Sequence, residues 1–348
     1  MEQQFIQRKE EHLHFSLNPE SQAVASTQFD QLELMHDSLP ELNLDEVSIT
    51  SDFLDEVIET PFFVSGMTAG HEHATLINDR IAAMASARGW LMGVGSQRRE
   101  LEVDYQDQAL QKISTQFPKI KLISNLGLAQ LIELHQRNEF SRLLKLIENT
   151  GSVLMAIHLN PLQEAIQTEG TPRFRGGIEA LSAWKLVSPV PVVVKETGSG
   201  MSEATLLKLK NLNLFAVDLS GMGGTHWGRV EGLRAKENTP AAHFGKTFGN
   251  WGISTLESLL HAEPIFTGTP TEVWASGGIR SGLDAAKAIT LGAKRVGFAQ
   301  PVLKTAMHSE EALINFAAQV EQELKIAMFC TGSKNLSELN VQKIKGFS

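Results

Sequence analysis

The chain has 348 residues, 42% of them apolar and 20% charged, with a formal net charge of −9. That is enough material for one large domain with a sizeable core, or for two ordinary ones, and its charge excludes whole-protein attraction to nucleic acid or to an anionic membrane. The single cysteine, Cys330, excludes an intramolecular disulfide and a cysteine-rich metal site. A reducing cytoplasm fits, since the charged start lacks the apolar core of a signal peptide and no apolar run approaches membrane-spanning length.

Residues 1–60 are polar and mixed. Arg8, Lys9 and His12 cluster there with Glu10 and Glu11 between them, a pattern that reads on residue types alone as a solvated helical face. From Pro61 a rhythm begins. Short β-branched-rich runs end in polar or glycine-rich clusters: at Gly66-Met67-Thr68-Ala69-Gly70, at Gly95-Ser96-Gln97-Arg98-Arg99, at Asn125 and at His158. Others end at Lys195-Glu196-Thr197-Gly198 and at Ser220 to Thr225, and two more lie between Val273 and Pro301. Helical patterns are predicted over Ala74–Ala87, over Leu128–Leu146, from about Met201, and over Ser281–Leu291.

Eight runs of this kind, most of them alternating with helices, predict a parallel sheet closed into a (β/α)8 barrel. An open doubly wound sheet would also bring the clusters to one edge. Three parts are expected: an N-terminal segment over 1–60, a barrel over 61–332 and a tail over 333–348. After strand six comes a long insert, Gly228 to Asn250, which reads equally as a lid or as a disordered surface loop.

The most informative stretch runs from Val273 to Pro301. Gly277 and Gly278 follow an apolar run, and Arg280 stands beside them. Two glycines let a backbone approach a ligand closely. The helix predicted just beyond them is expected to point unpaired N–H groups at the same place, which favours an anion. A second turn follows at Ala299 and Gln300, and paired turns after the last two barrel strands are a phosphate grip.

Other positions leave two readings open. Lys195 at the end of an apolar strand must find an anionic partner or lose its charge, and Glu196 offers a purely structural pairing. His158, Asn160, Gln163 and Glu164 follow one strand; singly they are ordinary loop residues, but together at a barrel mouth they favour function. Glu164 is a candidate hard-metal ligand. His71, His73, His226 and His243 have no metal-ligand spacing.

Taken in order, these motifs resemble the type 2, FMN-dependent isopentenyl-diphosphate isomerases over nearly the whole chain. Arg8-Lys9-Glu10-Glu11-His12 is similar to that family's N-terminal substrate motif. Met67-Thr68-Ala69-Gly70 is similar to its Met-Thr-Gly-Gly turn, with Ala69 in place of the first glycine. Gly95 to Arg98, His158 to Glu164, Lys195 to Gly200, Ser220 to Thr225 with Trp227, Gly277 to Arg280, and Ala299-Gln300 match as well.

The resemblance implies conversion of isopentenyl diphosphate to dimethylallyl diphosphate on reduced FMN, with Mg²⁺, and with NAD(P)H as reductant. It implies that Gly277, Gly278, Ile279, Arg280, Ala299 and Gln300 hold the FMN phosphate. Met67, Thr68, Ala69, Ser96, Asn125, Ser220 and Thr225 would line the flavin, with Lys195 beside it. It assigns the diphosphate to Arg8, Lys9, His12, Ser96, Gln97 and Arg98, with Asn160 and Gln163 by the substrate, and Mg²⁺ to Glu164. His158, Gln163 and Lys195 would be the catalytic side chains. A homo-tetramer or homo-octamer is also implied. The rival is an FMN-barrel oxidoreductase. Hydroxyacid oxidases, however, carry a His and Arg pair after strand seven, where no His lies here. Dehydrogenases of the inosine-monophosphate type need a loop cysteine after strand six, whereas Cys330 is near the C-terminus.

Overall fold

The computed structural model describes residues 10–67, 72–102 and 109–346. Arg8, Lys9, Thr68 and Ala69 lie outside the described residues. An antiparallel hairpin, β1 (Ser51–Phe53) and β2 (Glu56–Ile58), precedes the main sheet. Eight strands then follow: β3 (Phe62–Val64), β4 (Leu91–Gly93), β5 (Lys121–Gly127), β6 (Leu154–His158), β7 (Val192–Lys195), β8 (Ala216–Asp218), β9 (Glu272–Ala275) and β10 (Arg295–Phe298). Each pairs in parallel with its sequence neighbour, and β10 returns to β3 through Val296↔Phe62 and Phe298↔Val64. That closing ladder makes the sheet a (β/α)8 barrel and excludes the open sheet.

The β-branched runs become strands because both of their faces are covered. Val192, Val193 and Val194 are all buried, as parallel strands between a packed interior and outer helices must be. The outer helices start at sequence-readable caps. Ser202 opens Glu203–Lys210 and Ser254 opens Thr255–Phe266, each side chain accepting an N–H of the first turn. The stretch read as one helix over 128–146 is two, Leu128–Gln136 and Phe140–Thr150. The chain turns between them at Asn138, whose φ is +56°.

The insert after β8 is not an irregular loop. It forms two helices, Trp227–Arg234 and Pro240–Thr247, the second opened by Thr239 with proline in its first turn. Gly232 and Gly245 face each other, and a Cβ on Gly245 would stand 2.4 Å from Gly232 Cα, so the two helices cross in close contact.

The hairpin closes the N-terminal end of the barrel. Phe53 and Ile58 join Phe63, Leu91, Ile123 and Trp274 in the interior. Arg295, fully buried, donates to the Asp52 carbonyl, stacks 4.8 Å above the Phe53 ring and pairs with Glu272 at 3.5 Å. At the chain's other end Leu339 and Ile344 are buried, and Leu34 bridges to Ile344. No helix among the described residues is long and apolar enough to cross a membrane. With the N-terminal end plugged, the C-terminal strand ends are left to form the cavity.

Candidate active site

A deep cavity opens over the C-terminal ends of the barrel strands. Its first end is built from backbone. Gly277 and Gly278 have φ of +92° and +73°; a Cβ on Gly277 would lie 2.0 Å from the Gly221 carbonyl oxygen, and one on Gly278 2.6 Å from that of Gly223. Only glycine fits either place. The helix beyond them, Gly282–Thr290, is closed by its own capping box: the Ser281 hydroxyl accepts the Asp284 N–H, and Asp284 accepts from Ser281. It therefore does not present the unpaired N–H groups expected from the sequence.

The helix Gln300–His308 does. Its N-cap, Ala299, has no side-chain oxygen to offer, Pro301 sits in its first turn, and Ala299, Gln300 and Pro301 line the cavity. The anion-favouring helix end thus follows β10 rather than β9. Arg280 flanks it and donates to Gln22 at 3.2 Å. Gln22 and Ala23 strap this end from the N-terminal segment, bonding Thr225 Oγ1 at 3.2 Å and the Gly224 carbonyl at 2.8 Å.

The centre is polar and mostly uncharged. Asn125 donates its amide to the Val94 carbonyl at 3.0 Å, which fixes its orientation, so its Oδ1 accepts from His158 Nδ1 at 2.9 Å. In a neutral imidazole that leaves Nε2 as the acceptor. Ser220 holds a strained φ of +39° at the cavity wall. Lys195 rises from the end of β7 and donates to the Glu196 carbonyl at 2.5 Å. Burial pulls its ammonium below the ordinary range, opposed by Asp218 and then by Glu196. Glu196 itself is pushed up to about 7 by burial, although the backbone N–H groups of Ser199, Thr197 and Gly198 all favour its charged form. Burial also raises Asp218.

The second end carries charge. Asn160 donates its amide to Gln163 Oε1 and to Glu164 Oε1, both at 3.0 Å, and Glu164 also accepts the Thr171 N–H at 2.5 Å. Gln163, so oriented, donates to Glu231 at 2.8 Å. Glu231 further accepts from Arg234 and from His12 at 2.9 Å. Burial pushes Glu231 up, but His12, Arg234 and Gln163 outweigh it and hold the carboxylate below its usual range. Glu231 lies in the charged insert, where nothing in the sequence separates it from its solvated neighbours.

The expected site residues mostly converge. Met67, Ser96, Arg98, Asn125, His158, Asn160, Gln163, Glu164, Lys195, Ser220, Thr225, Ile279, Arg280 and His12 all line the one cavity with the glycine turn and the Ala299-Gln300 turn. Gln97 is not among the lining residues. It is buried, its Oε1 accepts the Asn125 N–H at 3.0 Å and its Nε2 donates to Glu100 at 2.5 Å, so its amide ties the β4 loop to β5.

Two buried polar atoms on the wall, Ser65 Oγ and Asn160 Oδ1, have no hydrogen-bond partner among the described residues. Unpaired buried groups of this kind suit a polar ligand. Together with a cradle that a Cβ would fill, they fit a phosphorylated cofactor. No cluster of three or more His, Cys, Asp or Glu side chains forms among the described residues, and Glu164 is the one carboxylate among those lining the cavity, so a cation here would rest on it and on ligand oxygens, a set that suits Mg²⁺.

The chain is similar to known proteins at three levels. A family model described as FMN-dependent dehydrogenase matches residues 242–345. Among solved structures, a flavocytochrome b2 variant with sulfite bound superposes with a TM-score of 0.66 at 17% identity, covering 96% of this chain and 82% of that one. An (S)-mandelate dehydrogenase gives 0.65 at 15% identity, covering 95% and 91%. These likenesses bear on the fold alone. Among curated proteins, the isopentenyl-diphosphate delta-isomerase of Bdellovibrio bacteriovorus is 44% identical over 98% of this chain and 98% of its own length. That of Legionella pneumophila is 45% identical over 97% and 96%, and that of Pyrobaculum aerophilum 38% over 95% and 92%. With this identity sustained over nearly the full length of both partners, on an FMN-type barrel, the chain belongs to the type 2 isopentenyl-diphosphate delta-isomerase family.

Proposed function

We propose that this chain interconverts isopentenyl diphosphate and dimethylallyl diphosphate by proton transfer, using reduced FMN, with Mg²⁺ at the diphosphate and NAD(P)H as the source of reducing equivalents. The observation that carries this reading is one cavity that joins a glycine turn and an uncapped helix start at one end to Gln163, Glu164 and His12 at the other, with Asn125, His158 and Lys195 between them. One end suits the cofactor phosphate and the other a diphosphate. The names of the full-length relatives support the same reading.

Moving a double bond adds a proton at one carbon and removes one from another. An unactivated alkene is a poor base, and its protonation creates cation character that water would trap. Reduced FMN, when bound, supplies an exchangeable N5 proton without net electron transfer.

The chain's own residues do the rest. Gly277, Gly278, Ala299 and Gln300 hold the phosphate, with Arg280 beside it. Met67, Asn125, Ser220 and Thr225, together with Thr68 and Ala69, wall the ring. Lys195 supplies the positive charge that an anionic ring requires. Arg98, Ser96 and His12, with Arg8 and Lys9, hold the diphosphate, and Glu164 anchors Mg²⁺. Gln163, aimed by Asn160 and Glu231, orients the alkene or its proton. His158, tied to Asn125, lines the same cavity beside the substrate. Assembly as a homo-tetramer or homo-octamer and a cytoplasmic location belong to the same reading.

The test is direct. The purified protein, incubated with isopentenyl diphosphate, FMN, Mg²⁺ and dithionite, should form dimethylallyl diphosphate by proton NMR. A preparation that binds FMN yet leaves the substrate unchanged would overturn the reading.

A further inference from the structure

Lys195 and Asp218 end neighbouring strands at the same level, as direct partners in the β7–β8 ladder. Both face one small void in the barrel interior beneath the cavity, together with Ser65 and Asn125. The void is polar on this side and closed below by Val193 and Trp274, so a charge placed there has little water to screen it. An ammonium in such a place needs a nearby anion or it loses its proton.

The titratable groups around Lys195 are few among the described residues. Glu196 follows it on its own strand, His158 flanks it on β6, and Asp218 flanks it on β8. Arg98, Arg280, Glu164 and His12 line the wider cavity above. His158 is no anion, and its Nδ1 is committed to Asn125. Glu196 accepts from Lys195 through its backbone carbonyl, and its carboxylate favours the ammonium less than Asp218 does. That carboxylate is held by the Thr197 and Ser199 N–H groups and ties the loop. Asp218 is the stronger countercharge. Its Oδ1 accepts from Ser276 Oγ at 2.7 Å and from the Ser220 N–H at 3.3 Å, donors that favour the charged form.

We propose that Asp218 is a positioning residue whose carboxylate is the countercharge that keeps Lys195 protonated beneath the cavity. The use of that charge by an anionic cofactor ring rests on the isomerase reading; the pairing itself does not. The electrostatics agree in direction. Burial acts against both charges, and each is the largest charge favouring the other's ionised form. Removing the carboxylate leaves the burial of Lys195 less opposed, so its proton is lost at lower pH.

The experiment measures Lys195 in the full-length protein without cofactor. Acetic anhydride labelling across a pH series, read by peptide mass, gives the midpoint at which the amine becomes nucleophilic. The wild type should stay protonated through neutral pH. Asp218→Asn should lower the midpoint by about one pH unit or more, a roughly tenfold rise in labelling at a fixed pH below it. Ser276→Ala keeps the charge and removes one hydrogen bond, and should move the midpoint little. An unchanged midpoint in folded Asp218→Asn overturns the proposal. If that variant does not fold, a wild-type midpoint below neutrality overturns it instead.

In the FMN-loaded protein, the reduction potential gives a second readout. Loss of the Lys195 charge should make the flavin of Asp218→Asn harder to reduce. A potential that rises means Lys195 kept its proton while a neighbouring anion vanished, which contradicts the pairing. Failure of the wild type to isomerise isopentenyl diphosphate would sink the functional reading and leave the labelling result to decide the pairing.

Discussion

At the scale of single residues, two buried glutamates respond to pH in opposite senses. Glu231 is held below its ordinary range by His12, Arg234 and Gln163 despite its burial. Its contribution to stability is therefore present above the unfolded value of 4.5 and is lost as pH falls through the lower folded value. Glu231→Gln should be less stable than the wild type at neutral pH, and the gap should narrow on acidification. Thermal melts over a pH series check this, and a gap that stays constant would count against the charged network. Glu196 behaves the other way. Its folded value is raised by burial to about 7, so its contribution is present below 4.5 and is lost as pH rises toward 7. Glu196→Gln should gain on the wild type across that window, and denaturant titrations at several pH values would show it. Glu164 makes the third case. Glu164→Gln removes the one carboxylate lining the cavity among the described residues, the proposed Mg²⁺ anchor, so the Mg²⁺ concentration giving half-maximal activity should rise while FMN affinity holds. An unchanged Mg²⁺ titration would contradict the assignment.

At the scale of elements, the phosphate grip depends on which helix start is left open. Ser281 and Asp284 seal the helix after β9, whereas Ala299 cannot seal the one after β10. The signal was present in the sequence, because Ser281 and Asp284 stand at capping-box spacing and Ala299-Gln300-Pro301 has no capping side chain before its proline. The glycine turn still matters, as the surface against which the ligand lies. Gly278→Ala would force a Cβ to 2.6 Å from the Gly223 carbonyl oxygen at a positive φ. Cofactor affinity should fall at least about tenfold, a loss of about 1.4 kcal/mol. Fluorescence titration with FMN would settle it, and wild-type affinity in that variant would mean the turn is only a connector. The insert makes the converse point. Thr239 and Pro240 stand at a helix start, but the length and charge of the insert read equally as a lid or a disordered surface loop, and the burial of Glu231 shows only once the insert is folded into its two helices.

At the scale of the molecule, the barrel was legible because each strand carries its own apolar signal. Val192 to Val194 need no partner to be recognised as buried. The hairpin was not legible: in Ser51–Phe53 and Glu56–Ile58 only Phe53 and Ile58 face inward, and two isolated apolar residues make no pattern. Yet it plugs the barrel floor around Arg295. Phe53→Ala should cost about 3–5 kcal/mol of stability and leave the cofactor site unaltered, since the cavity lies at the other end. Calorimetry with and without FMN separates the two effects, and equal stability would mean the hairpin is ornamental. Asp218 was hidden for the opposite reason, since one carboxylate inside an apolar strand shows its partner only once the strands are in register. The central functional claim is that one reduced cofactor serves many proton transfers. It is tested most directly by anaerobic turnover of isopentenyl diphosphate with a fixed, substoichiometric amount of reductant. Many product molecules per reduced flavin, and none from the oxidised enzyme, are expected; turnover that stops after one equivalent, or that proceeds with fully oxidised flavin, would contradict the account.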